Sequence, residues 1–397
     1  MNAWKRTFVS AFIAQALSIL GFSFSLPFLP FFLTELGVVD SGEQAFWAGV
    51  VLSSAGLTFA LSAPFWGILA DRYGRKVMVC RAMFGGTLVL LLMSLVQSVG
   101  QLVICRLLQG IFTGTMAASV ALVASVVPHK HSGFTLGMMQ AAVFIGNAIG
   151  PFFGGIMADT FGYRASFRMG ALLCFLGGVL VFFGTHENWS PPDAKAGREE
   201  DRFRDIFLLK GFALAIVILF GVRLSNTMIN PSFPLIVKDI RPTADNINSL
   251  AGSIMAAAAV AGAVSAATLG LIGDRFGHHR VLLGCCLGGS LASLGHFWAV
   301  SISHLVMARI CFGLAVAGML PAANAMIHCI IDHRSLGKAY GLATSLSMLG
   351  IALGPFTGGL LARLAGLRMP FLLTALAQLL LGVLVFVSGR KRVEPRP

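Results

Sequence analysis

Twelve times along this chain an apolar run of membrane-crossing length recurs, and that recurrence limits the fold more than any single motif. A bilayer core about 30 Å thick needs roughly 20 residues of helix. With no water to bond the backbone there, a crossing segment has to satisfy its own N–H and C=O groups. The runs fall at about 8–32, 46–69, 77–97, 101–127, 134–158, 167–185, 210–236, 248–272, 281–301, 303–330, 338–362 and 368–388. The chain therefore reads as an all-α membrane protein with twelve transmembrane helices. Charged residues make up 11% of the 397 residues, against about 25% in soluble domains. That is too little charge to cover a soluble surface.

The net charge is +13. In a soluble protein such a balance suggests nucleic acid. Here the charges sit in short segments between apolar runs, so they read as topology signals and no nucleic-acid partner is expected. The first run follows Lys5 and Arg6 but is too long for a signal-peptide core of roughly 7–15 residues. It reads as a retained first span. The seven cysteines lie in or beside apolar segments without metal-ligand spacing. They read as small packing thiols, with no disulfide framework.

Residues 186–209 form the one long polar connection, with Pro191, Pro192, Asp193, Glu199 and Glu200 among them. It divides the chain into a first six-helix bundle (1–185), a cytoplasmic linker and a second six-helix bundle (210–397). With the N-terminus inside, 20 of the 29 lysines and arginines fall in cytoplasmic segments and 6 in outer ones. The positive-inside rule then places both termini in the cytoplasm.

An internal repeat supports the division. Gly67-Ile-Leu-Ala-Asp71-Arg72-Tyr-Gly74 returns as Gly270-Leu-Ile-Gly-Asp274-Arg275-Phe-Gly277, offset by 203. Arg106 and Gly110 return as Arg309 and Gly313 at the same offset. Gly150-Pro151-Phe-Phe-Gly154-Gly155 returns as Gly354-Pro355-Phe-Thr-Gly358-Gly359, offset by 204. Six runs separate each pair, so the halves cross the membrane in the same direction. Parallel six-span repeats describe a transporter of two bundles with its site between them.

These motifs resemble those of the major facilitator superfamily, and within it the twelve-span drug:proton antiporters, over the whole chain. The resemblance implies the major facilitator fold and secondary active transport by alternating access. The implied function is proton-coupled export of small amphipathic compounds of the multidrug-efflux type. An uptake permease for a small metabolite, such as a sugar or organic anion, is the alternative within the same fold. No catalytic cluster or large extramembrane domain marks an enzyme or a receptor, and no phosphate-binding loop marks an ATP-driven pump. No cofactor or metal is expected. The implied partners are a small-molecule substrate, protons and the lipid bilayer, for a monomer in a bacterial inner membrane.

Gly67 and Asp71 share a helix face, with Arg72, Gly74, Arg75 and Lys76 following. The resemblance makes this segment a cytoplasmic latch and conformational switch, with Asp274 and Arg275 as its second copy. His278 and His279 stand there in place of Arg75 and Lys76. Gly146, Gly150 and Gly154 form one small-residue stripe that lets helices approach, and Pro151 kinks the helix. With Gly155, Gly354 and Pro355 they resemble the helix-packing motif of antiporters. The resemblance associates Arg106 with proton transfer, acting by biasing a nearby group. Its position near the outer end of its span leaves snorkelling to the headgroups as the lesser alternative.

Arg223, Asn226 and Asn230 share a face of the seventh run, with Arg223 near mid-depth, where a charge is expensive unless it meets water or a partner. With Gln140, Asn147 and Asn324 they are candidates for substrate contact or for interhelical hydrogen bonds. Phe24, Phe28 and Met138 line a greasy pocket or face lipid and core. All sixteen acidic residues lie in loops or near span ends. The nearest proton-carrying candidates are therefore Glu35, Asp159 and His296.

Overall fold

The computed structural model describes residues 3–187, 212–328 and 336–390. Most of the expected linker, from 188 onward, lies outside them. Among the described residues twelve helices are long and apolar enough to cross a membrane. Spans 1 to 6 are Trp4–Glu35, Ser41–Tyr73, Arg75–Met93, Val99–Val126, Lys130–Phe161 and Tyr163–Gly184. Spans 7 to 12 are Phe212–Ile240, Ile247–Phe276, His278–Phe297, Ile302–Asn324, Ser345–Ala365 and Met369–Ser388. Several outrun the apolar windows by a turn, because polar residues at a helix end still complete the backbone ladder as they reach the headgroups.

Three spans are interrupted where the sequence reads as continuous. Span 1 tightens into a 3-10 turn at Leu26–Phe28, which holds Pro27, and resumes as a helix at Leu29, just ahead of Pro30. Proline cannot donate to the helical ladder, so it sits at the first turn of each new piece. Span 7 breaks between Met228 and Phe233, around Pro231 and Pro234. Span 4 ends one helix at Phe112 and starts another at Thr115. Its hinge is Gly114, at φ +115°, a conformation a Cβ would strain.

The chain forms two compact units. The first holds residues 1–38, 54–197 and 244–256, and the second 39–53, 198–243 and 257–397. Each unit thus includes the N-terminal part of one helix from the other repeat: span 8 in the first, span 2 in the second.

Both units use the same packing device. A Cβ on Gly146, Gly150 or Gly154 would strike Ile19, Ser23 or the Phe24 backbone of span 1. One on Gly350, Gly354 or Gly358 would strike span 7 at Phe220, Thr227 or Met228. The remaining glycine of each motif faces the borrowed helix: Gly155 meets Asn248 and Gly359 meets Ala45. The borrowed helices return a glycine of their own, Gly252 on the Pro151 carbonyl and Gly49 on that of Pro355. By contrast, a Cβ on Gly67, Gly137 or Gly270 would meet nothing within 4 Å.

Candidate functional site

In the first unit, span 2 is zipped to span 4 along one face. Thr58 donates to the Leu107 carbonyl at 2.9 Å, Ser62 to Gly110 at 3.3 Å and the Trp66 indole to Ile111 at 2.7 Å. The break at Gly114 explains the last two, because carbonyls near a helix end lack intrahelical donors. Arg106 lies in this packed region. It is 5% exposed and donates to the Gln109 side-chain oxygen one turn on. It does not snorkel.

The other first-unit candidates divide between core and surface. Phe28 is 1% exposed and Phe24 is buried with its backbone under Gly154. Met138 is half-buried and Gln140 exposed. Asn147 is exposed and accepts a 3.2 Å bond from Ser23. Glu35 pairs with Arg164 at 3.6 Å. Arg164 also donates to the carbonyls of Ser94 and Val96, which ties the end of span 3 to the start of span 6.

The Gly67–Lys76 segment holds a partner that sequence reasoning missed. Gly74, at φ +90°, makes the turn into span 3. The first N–H groups of that span, on Arg75 and Lys76, donate to the Glu187 carboxylate at 3.0 and 2.7 Å. The Lys76 ammonium reaches the Thr185 carbonyl at 2.7 Å. Glu187 thus places its negative charge at the positive end of span 3, while Asp71 is exposed and Arg72 lies against Tyr73. The only hint was an acid just past a span end, opposite a basic turn. In the second copy His278 folds back to Asp274 at 3.4 Å, and His279 meets the Val385 carbonyl at 2.5 Å. Arg275 ends span 8 in the exposed last turn.

In the second unit the polar residues of span 7 separate. Arg223 is half-buried, its Cβ against Gly350 of span 11, and its Nε has no partner among the described residues. Asn226 accepts a 3.0 Å bond from Gln378 of span 12. Asn230 falls in the turn that breaks span 7, and Asn324 is an exposed residue of span 10. His296 is fully buried. Its Nδ1 bonds the Ala292 carbonyl at 2.7 Å, and its ring stacks on Phe371 at 5.2 Å, with Phe312 edge-on. Beside it Arg309, the repeat mate of Arg106, is 8% exposed with its guanidinium 4.1 Å from the Phe233 ring.

Two polar clasps hold the borrowed helices. Asp159 of span 5 accepts four hydrogen bonds from the first turn of span 8. On the other side Arg363 of span 11 meets Glu43 of span 2 at 2.7 Å and lies over Phe46. Asp159 and Arg363 are repeat mates, offset by 204 like the glycine–proline motif.

Twelve membrane-length helices carrying an internal repeat are the architecture of a membrane transporter. The chain belongs to the Major Facilitator Superfamily, whose family model matches residues 11–223 and 215–397, and is a secondary transporter. It is 32% identical over 383 residues to multidrug resistance protein MdtG of Proteus mirabilis (strain HI4320), covering 94% of this chain and 93% of that one. It is 31% identical to the protein of the same name from Escherichia fergusonii, covering 99% and 97%. Among solved structures it superposes on a bacterial homolog of the human lysosomal transporter Spinster, with TM-score 0.82, 15% identity and coverage of 100% and 99%. The nucleoside transporter NupG superposes with TM-score 0.77, 15% identity and coverage of 98% and 100%. At those identities the structural likenesses speak for the fold alone.

Proposed function

We propose that this chain exports small amphipathic compounds in exchange for protons, by alternating access, from the inner membrane of a bacterium with both its termini in the cytoplasm. The observation that carries the reading is near-full-length similarity, at about 31% identity, to proteins named for multidrug resistance. The glycine–proline motif in span 5, of the kind found in antiporters, supports export over uptake. Arg223, with an uncommitted Nε, is the leading substrate contact. Arg106 tunes the coupling group, and the scarcity of acids within the spans disfavours polycationic substrates. As an antiporter, the protein works as a monomer, each chain carrying both repeats.

The test uses everted membrane vesicles with the protein at matched levels, energised to an acid interior, and a panel of neutral, anionic and cationic amphiphiles. The expected result is accumulation inside the vesicles that collapses when the proton gradient is dissipated. Entry into intact cells, with none into everted vesicles, would overturn the export reading in favour of an uptake permease.

A further inference from the structure

The two repeats build the same cleft twice, and only the first sets an arginine against an indole in it. In the first unit, spans 2, 3 and 4 enclose a cavity of about 170 Å³ lined by Trp66, Gly67, Met78, Arg81, Gly114 and Ala118. In the second, spans 8, 9 and 10 enclose its counterpart of about 520 Å³, lined by Leu269, Val281, Gly284 and Leu314 among others. At the repeat offset of 203, Trp66 corresponds to Leu269 and Arg81 to Gly284. The serine that ties the front of each cleft is kept: Ser62 bonds Gly110, and Ser265 bonds Leu314. The fold therefore closes this corner without an arginine or an indole at these two positions; the arginine of the second cleft, Arg280, is exposed.

Arg81 is costly where it stands. Its guanidinium lies 3.6 Å from the Trp66 ring centroid, and its Nη2 donates to the Thr113 carbonyl at 3.3 Å. Its Nε and Nη1 are buried and without a partner among the described residues. A buried donor left unpaired costs more when it is charged. Stacking holds the flat face of the guanidinium and leaves its edges free for in-plane bonds. The cavity holds no acidic side chain to accept them; its other charged residue is Arg75. Apart from Thr113 the rest of the lining is apolar or glycine, with Phe59, Ala63, Trp66 and Ala70 running along span 2. The volume is below the roughly 300–1,000 Å³ of drug-sized sites, so it suits a head group and the first part of a chain.

We infer that the Arg81–Trp66 cleft binds an amphiphilic anion, with a carboxylate or phosphate on the Arg81 edges and an aliphatic tail running out along span 2. Such an anion comes either from the membrane's own acidic phospholipid or from a single-chain compound presented for transport. Binding at this cleft stands whether the protein exports or imports.

The test uses the full chain purified in a neutral detergent and binding read at equilibrium. The probes are radiolabelled laurate, dioleoylphosphatidylglycerol, and dodecyltrimethylammonium as a cation of similar tail. We expect saturable binding of one or both anions, weakened at least tenfold in Arg81→Gln, partly restored in Arg81→Lys, and not competed by the cation. Ala118→Leu keeps the arginine and fills the cleft; it should lose binding with an unchanged melting temperature, which separates site loss from misfolding. Arg280→Gln, at the rim of the counterpart cleft, should bind like the parent. Laurate binding that survives excess phosphatidylglycerol marks a single-chain site, and displacement by it marks a lipid site. Equal anion binding in the parent and Ala118→Leu, or competition by the cation as strong as by laurate, would overturn the inference.

Discussion

Asp159 and Ser249 are joined twice: the Ser249 backbone N–H and its hydroxyl both donate to Oδ2 of Asp159, at 2.7 and 2.5 Å. Asn248 occupies the other oxygen with its own backbone and side-chain N–H groups, and its side chain also reaches the Tyr163 hydroxyl at 3.1 Å. A carboxylate therefore closes on the positive end of span 8, where free N–H groups and the helix dipole both favour it. Asp159→Asn keeps the shape and loses the charge, which should cost about 1.5–3 kcal/mol of this contact. Glu43→Gln breaks a pair whose side chains are 34% and 45% exposed, worth about 0.2–1 kcal/mol. Spin labels on the outer ends of spans 5 and 8 should separate more often in Asp159→Asn than labels on spans 2 and 11 do in Glu43→Gln. Equal broadening of the two distance distributions would show that the clasps are energetically alike.

Glu187 caps span 3 from beyond the end of span 6. Glu187→Ala should lower stability by about 1 kcal/mol, the scale of a lost helix cap, and Asp71→Ala by less. Thermal unfolding of the two variants in one detergent checks the order. A larger loss in Asp71→Ala would return the principal contact of the switch to that residue.

Arg223→Ala should insert normally and lose most transport, because it removes a mid-span charge with an uncommitted donor. Arg223→Lys should recover only part, since an ammonium does not reproduce the planar five-donor fork. Initial rates at matched protein levels decide it. Full activity in Arg223→Ala would leave the side chain as packing against Gly350.

Single cysteines at Asp40, Gly162, Asp245 and Gly366 should react with an impermeant thiol reagent added to intact cells, and ones at Lys195 and Lys391 should not; Gln44, 2% exposed in the first turn of span 2, is too buried to serve. Gly162, Asp245 and Gly366 lie in connections between spans, and Asp40 lies just ahead of span 2. Labelling at Lys195 from outside would reverse the orientation.

The twelve spans and the repeat were legible because both rest on local signals, apolar length and residue identity at a fixed offset. The breaks were less so. Pro231 and Pro234 three residues apart mark the turn in span 7, yet the apolar run continues through them. Gly114 looks like one more small residue in a membrane helix, and only its left-handed backbone shows the hinge. Arg106 near a span end left snorkelling open because the packing of span 2 around Gly110 is tertiary, although its partner Gln109 lies only one turn on. Asn226 shared a helical face with Arg223 on spacing alone. The structure turns it to Gln378, a residue 152 positions away that no local pattern pairs with it. Glu187 and the Trp66–Arg81 stack depend on three-dimensional closure in the same way.

The aspartate-for-arginine exchange between positions 159 and 363 means that the repeats have stopped being interchangeable parts. In a protein assembled from two first halves, a second Asp159 would close on the start of the helix that carries Glu43, and two carboxylates would face each other. In one assembled from two second halves, Arg363 would be set over the positive end of the helix that begins at Ile247. Each half has become a lock cut for the other's key, and neither can dimerise with itself through these clasps. Joining the halves in one polypeptide guarantees that every molecule receives one of each.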